Sequence, residues 1–152
     1  MTVVAAYFGL ASCASTPPRI ASEVSIRIDR FLVIAEQEIR AIALVADRPD
    51  YSAVYQRVEG PETPRTLYAK LYVAVALQSS IQRDACGMGL LDPALCARYR
   101  PAWLVPPSQA RPTPEMLDSW SAEAQNAILP LWHALCAKAI EKAQDPTFCA
   151  IE

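Results

Sequence analysis

Cysteine and histidine are the residue types in this 152-residue chain whose chemistry is most distinctive. The five cysteines are Cys13, Cys86, Cys96, Cys136 and Cys149. A cysteine thiol serves as a nucleophile, a metal ligand, a disulfide partner or an attachment point for lipid. The single histidine, His133, lies three residues before Cys136 in a segment with helical spacing. The two side chains would share one helix face, as a Cys–His nucleophilic pair requires.

Other signs of catalysis are scarce in the sequence. A Ser/His/Asp hydrolase would have His133 as its sole candidate base, and no G-x-S-x-G motif precedes it. The four glycines are isolated, so no glycine-rich phosphate loop is present. The acidic residues are scattered along the chain, which predicts a solvated face. We therefore expect a non-enzymatic protein without catalytic residues, cofactor or metal, and a thiol-dependent enzyme using Cys136 and His133 is the least favoured hypothesis.

The residues before Cys13 form a pattern with a specific chemical meaning. Residues 1–15 carry no charge, and their apolar run is too short to span a bilayer, which needs roughly 20 residues. The segment Leu10-Ala11-Ser12-Cys13 resembles the lipobox of bacterial lipoproteins. This resemblance implies that residues 1–12 are a signal peptide, that a signal peptidase cuts before Cys13, and that the Cys13 thiol carries a diacylglycerol.

A tether is expected between the anchor and the folded part of the chain. Residues 13–19 contain small hydroxyl residues and a Pro-Pro pair, which stiffens the backbone toward polyproline II. Residues 20–152 then form a single helical domain. This organisation favours a lipid-anchored cell-envelope protein facing the periplasm, with an unknown protein partner or a structural role. The alternative is a soluble cytoplasmic or virion helical protein whose apolar N-terminal arm packs on the domain.

The cysteine count agrees with the lipoprotein interpretation. If Cys13 is lipidated, an even number of four remains, as expected in an oxidising compartment. We favour the pairs Cys86–Cys96 and Cys136–Cys149, since glycines follow Cys86 and Asp145-Pro146 turns the chain back after the last helix. The alternatives are a Cys86–Cys136 link, free buried thiols, or a zinc site. That zinc site would use His133, Cys136, Cys149 and one of Cys86 and Cys96.

Composition predicts a folded, helical protein. Hydrophobic residues make up 53% of the chain and charged residues 20%, so there is enough apolar surface for a core. Glycine occurs four times and alanine is abundant, which favours helices over tight hairpins. The 14 basic and 16 acidic residues leave a net charge of -2, and without a basic stripe we expect no nucleic-acid partner bound by charge alone.

Capping and spacing signals predict an all-α bundle of three long helices and two short ones. The first long helix has Ser22 as N-cap and ends before Pro49, with apolar residues every three or four positions. The second, taken as central because it is apolar all round, runs from Thr63-Pro64 to about Cys86. The third runs from Thr113-Pro114 to Asp145-Pro146 and is kinked or split at Pro130. The short helices are expected at 52–58 and from Asp92-Pro93 to about Tyr99.

The segment 101–114 contains five prolines and one tryptophan. It is expected to be irregular or partly extended. Trp103 is a candidate anchor for a protein partner, because aromatic side chains on extended loops suit recognition. The simpler interpretation is that Trp103 pins this loop onto the helices.

Overall fold

The computed structural model describes residues 20–46 and 58–150. Cys13, the lipobox-like segment, the tether and most of the expected short helix at 52–58 lie outside these residues. Three long helices make up the fold: α1 (Ser22–Ala46), α2 (Pro64–Gly87) and α3 (Pro114–Ala143). Two 3-10 turns, Pro93–Leu95 and Pro107–Gln109, lie between α2 and α3. The all-α bundle expected from the sequence is therefore confirmed.

The predicted caps of α2 and α3 are present. Thr63 accepts a hydrogen bond from the N–H of Thr66 at 3.2 Å, and Thr113 accepts one from the N–H of Met116 at 3.2 Å. In each case proline occupies the next position, where its missing N–H costs nothing. At the start of α1 the carbonyl of Ala21, not Ser22 as expected, accepts the first helical hydrogen bonds.

A left-handed glycine ends α2. Gly89 has φ +70°, and the N–H groups of Gly89 and Leu90 bond to the carbonyls of Cys86 and Ala85 at 3.1 and 2.9 Å. This pair of hydrogen bonds is the Schellman arrangement, which satisfies two carbonyls at the end of a helix. The chain therefore turns sharply after α2, as the glycines predicted.

The helix with neighbours on both sides is α1, not α2 as the sequence suggested. It packs along α2 and α3, whereas α2 and α3 have less contact with each other. Its buried residues extend beyond one stripe and include Leu32, Ile34 and Ala41. Hydrophobicity alone misidentified the central helix, because α2 is also buried over much of its surface without being enclosed.

One further expectation is wrong, and at Pro130 the structure excludes one of the two alternatives, a kink or a split. The helix expected from Asp92-Pro93 to Tyr99 is a single 3-10 turn. The side chain of Gln82 donates hydrogen bonds to the carbonyls of Leu95 and Ala97 at 2.6 and 2.9 Å, so these carbonyls bond to α2 and not within a longer helix. Helix α3 is not split at Pro130 but continues through it. Pro130 has no N–H to donate to the carbonyl four residues earlier, so one helical hydrogen bond is missing there.

Core packing predicts the effect of a charge in α2. Val75 is 2% exposed and lies in the cluster shared by the three helices. Val75→Asp would bury an unpaired charge, and we expect the free energy of unfolding to fall by several kcal/mol, comparable with the whole stability of a small domain. Thermal melts followed by circular dichroism measure this effect. The control Ala122→Asp, at an exposed position of α3, should melt close to wild type. A cooperative melt of Val75→Asp near the wild-type temperature would contradict this packing.

Candidate functional site

Two disulfides join the four cysteines of the described residues. Cys86 is bonded to Cys96 and Cys136 to Cys149, each with a Cα–Cα distance of 5.9 Å. These are the pairs that the sequence favoured. The first closes the turn after α2, and the second ties the segment after α3 back to that helix.

The second disulfide prevents Cys136 from acting as a nucleophile or a zinc ligand. Its sulfur is bonded to Cys149, so it offers no thiolate as nucleophile or zinc ligand in this form. His133 is exposed, and its ring lies beside that of Trp132 with 4.8 Å between centroids. In residues 20–46 and 58–150, no group of three or more Cys, His, Asp or Glu side chains is placed to hold a metal ion.

Trp103 is partly buried and packs against the hydrophobic core. Its ring stacks on Trp120 with 5.3 Å between centroids and an angle of 11° between planes. The Tyr68 hydroxyl lies 2.9 Å from the carbonyl oxygen of Trp103 and 2.6 Å from that of Val105, and it accepts a hydrogen bond from the N–H of Val105. These contacts pin the proline-rich loop to α2 and α3. Contact of Trp103 with a protein partner stays a prediction.

A cavity of about 330 Å³ lies between α2, the segment 94–99 and α3. We call it the inner cavity. Its lining includes Val75 and Gln78 from α2, Tyr99 from the connecting segment, and Pro130 and Leu131 from α3. This volume is at the lower end of the range for ligand pockets, and a mostly apolar lining with a few polar groups is typical of them. The inner cavity is therefore the candidate binding site for a small molecule.

A second cavity of about 210 Å³ adjoins the first. We call it the arginine cavity, because Arg83, Arg98 and Arg100 all line it. Ser79 and Arg98 line both cavities, so the two lie side by side. Arginine side chains line one of these neighbouring cavities, and a mostly apolar set of side chains lines the other. We refer to the two cavities together as the groove.

A buried carboxyl group lies behind the inner cavity. Glu38 of α1 is 0% exposed, and its Oε1 accepts a hydrogen bond from Nε2 of Gln78 at 2.7 Å. The same Nε2 donates to the carbonyl of Ile128 at 3.3 Å, so Gln78 links all three helices. Oε2 of Glu38 has no hydrogen-bond partner among the residues that the structure describes. Burial raises the pKa of the Glu38 carboxyl well above its usual value of 4.5.

Glu38 lies in the core, whereas the scattered acidic residues of the sequence predict a solvated face. Its spacing contains a signal, because Glu38 follows Ala35 by three positions and precedes Ile42 by four. All three therefore lie on the same apolar stripe of α1. The arginine cavity carried no comparable signal, because its members come together only in the folded chain.

No protein-family model, curated protein or solved structure matches this chain. None of the helices in the two described ranges is long and apolar enough to cross a membrane.

The buried Glu38 predicts how stability depends on pH. With a raised pKa in the folded state, Glu38 takes up a proton on folding once the pH exceeds about 4.5. Its contribution is fully present below that pH and is lost as the pH rises toward the folded-state pKa. Glu38→Gln keeps the shape without the charge, so its free energy of unfolding should exceed that of wild type by about 1 kcal/mol or more near pH 8, with a smaller difference near pH 5.

Urea denaturation at a series of pH values measures this difference. Glu59→Gln, at an exposed position outside the helices, serves as the control and should follow the wild-type curve. If Glu38→Gln and wild type gave parallel curves across the series, Glu38 would not be a buried neutral acid.

Proposed function

We propose that this chain is a lipid-anchored protein of the bacterial cell envelope, that it faces the periplasm, and that it works through protein–protein interaction or a structural role rather than by catalysis. The observation that carries this proposal is the way the cysteines pair. Four are joined in two disulfides, and the remaining one is the cysteine of the lipobox-like segment. Under this proposal each of the five cysteines has a chemical role.

The disulfides support an envelope location over the cytoplasmic alternative. Disulfides form and persist in oxidising compartments such as the periplasm, and they are rare in the reducing cytosol. The bond between Cys136 and Cys149 also speaks against a thiol-dependent enzyme, since it occupies the sulfur that would react. A binding or structural role asks for a rigid domain, and two cross-links near the ends of α2 and α3 provide one.

The tether suits the proposed anchor. Cys13 would lie at the membrane surface, and α1 begins nine residues later at Ser22. A stiff Pro-Pro segment in between would hold the domain away from the lipid headgroups and leave it accessible to a partner. Stable attachment needs two or more acyl chains, which a diacylglycerol on the thiol supplies.

Lipidation at Cys13 is tested by expressing the full chain in a bacterial host that processes lipoproteins. The membrane-fraction protein should have an intact mass that lacks residues 1–12 and includes acyl chains, with both disulfides formed. Cys13→Ser should remain unprocessed and be released from membranes by mild washing, because it has no thiol to acylate. The control Ser12→Ala keeps a small residue before the cysteine and should be processed normally. Wild-type protein without acyl mass would overturn the proposal.

A further inference from the structure

The arginine cavity concentrates positive charge on a protein with a net charge of -2. Arg98 and Arg100 are exposed and make no hydrogen bond or ion pair with any other described residue. Arg83 has an ion pair with Asp84 at 3.3 Å, but its side chain is 73% exposed. The guanidinium groups are therefore accessible to a ligand without breaking a strong internal contact.

The backbone that carries Arg98 and Arg100 is held in place on both sides. The Cys86–Cys96 disulfide attaches it to the end of α2, and Gln82 donates hydrogen bonds to the carbonyls of Leu95 and Ala97 at 2.6 and 2.9 Å. One residue beyond Arg98, the Tyr99 hydroxyl bonds to the carboxylate of Glu123 on α3 at 2.9 Å. This anchoring reduces the ordering cost of binding, since the segment is already in place.

The inner cavity adds a different chemistry beside the charge. Its apolar lining includes Val75, Leu95, Ala127 and Leu131, and it meets the arginine cavity at Ser79 and Arg98. A ligand that fills both would need an anionic end and an uncharged, largely apolar body. The volumes of about 330 and 210 Å³ suit a small molecule.

We infer that this groove binds a small organic phosphate monoester, with its phosphate among Arg83, Arg98 and Arg100 and its apolar body in the inner cavity. The planar guanidinium fork matches phosphate oxygens in paired hydrogen bonds. A phosphate monoester carries a charge of about -1.5 to -2 at pH 7, which complements several arginines better than a single carboxylate does. This inference is independent of the anchor at Cys13 and goes beyond the proposed function.

Phenyl phosphate is a suitable probe, because it joins a phosphate dianion to a compact apolar ring. Isothermal titration calorimetry with the full-length chain, both disulfides formed, should show saturable binding. We expect phenyl phosphate to bind at least about tenfold more tightly than inorganic phosphate, which lacks the ring, and than phenol, which lacks the charge. Affinity should fall as salt is added, because the arginines are exposed to solvent.

A double variant, Arg98→Gln with Arg100→Gln, removes two charges that make no internal contact, so the fold should persist. Its affinity for phenyl phosphate should drop at least about tenfold. The matched control changes Arg30 and Arg65 to Gln, two exposed arginines outside this groove, and should bind within about twofold of wild type.

Three outcomes with the wild type and the two double variants would overturn the inference. They are the absence of saturable binding of phenyl phosphate to the wild type, equal affinity of wild type and the Arg98/Arg100 variant, and equal loss in the Arg30/Arg65 control. Two results with other ligands would also contradict it. If inorganic phosphate bound as tightly as phenyl phosphate, the apolar body would contribute nothing; if benzoate, which has a similar ring and a single negative charge, bound as tightly, the dianion would contribute nothing. Loss of acylation in Cys13→Ser leaves all of these results unchanged.

Discussion

The Cys86–Cys96 disulfide is the constraint on which the binding groove depends. It joins the last turn of α2 to the residue that follows the first 3-10 turn, across a sequence separation of 10. Closing a loop of that size stabilises a fold by about 2 to 3 kcal/mol in the chain-entropy account. Its greater consequence is geometric. Because Cys96 is bonded to α2, the four residues that follow it stay near that helix, and they include Arg98 and Arg100.

The second disulfide joins the last part of α3 to the segment that follows it. It holds Cys149 against Cys136, and the neighbouring backbone continues across α1, where Gln37 donates a hydrogen bond to the carbonyl of Ala150 at 3.0 Å. The ring of Phe148 lies under the guanidinium of Arg40, 5.1 Å from its centroid. These contacts make the C-terminal segment a cover for α1. The two disulfides therefore fix the connecting segments, while apolar packing fixes the three helices.

A polar link through the core accompanies this packing. Glu38, Gln78 and the carbonyl of Ile128 connect the three helices where the surrounding side chains are apolar. A buried acid that lacks one hydrogen-bond partner costs stability, since its charged form is poorly solvated there. Gln78 also lines the inner cavity. Glu38 therefore lowers the stability of the core next to the proposed binding site.

Local features of this fold were predictable, and long-range ones were not. Thr63-Pro64 and Thr113-Pro114 predict the starts of helices, because the cap hydroxyl and the proline affect only the first turn of the helix that follows. The disulfide pairs were also predictable, since the glycines after Cys86 and the proline before Cys149 indicate turns that bring each pair of cysteines together. The central position of α1 depends on which faces meet in the folded chain, and so does the convergence of Arg83 with Arg98 and Arg100. No local pattern encodes either arrangement.

Peptide mapping under non-reducing conditions tests the covalent framework most directly. The protein, isolated from an oxidising compartment and digested without reductant, should give linked peptides for Cys86 with Cys96 and for Cys136 with Cys149. That pattern would establish the constraint that places the arginines beside α2. A Cys86–Cys136 link, or four free thiols, would contradict the account, because neither leaves the segment after Cys96 attached to the end of α2.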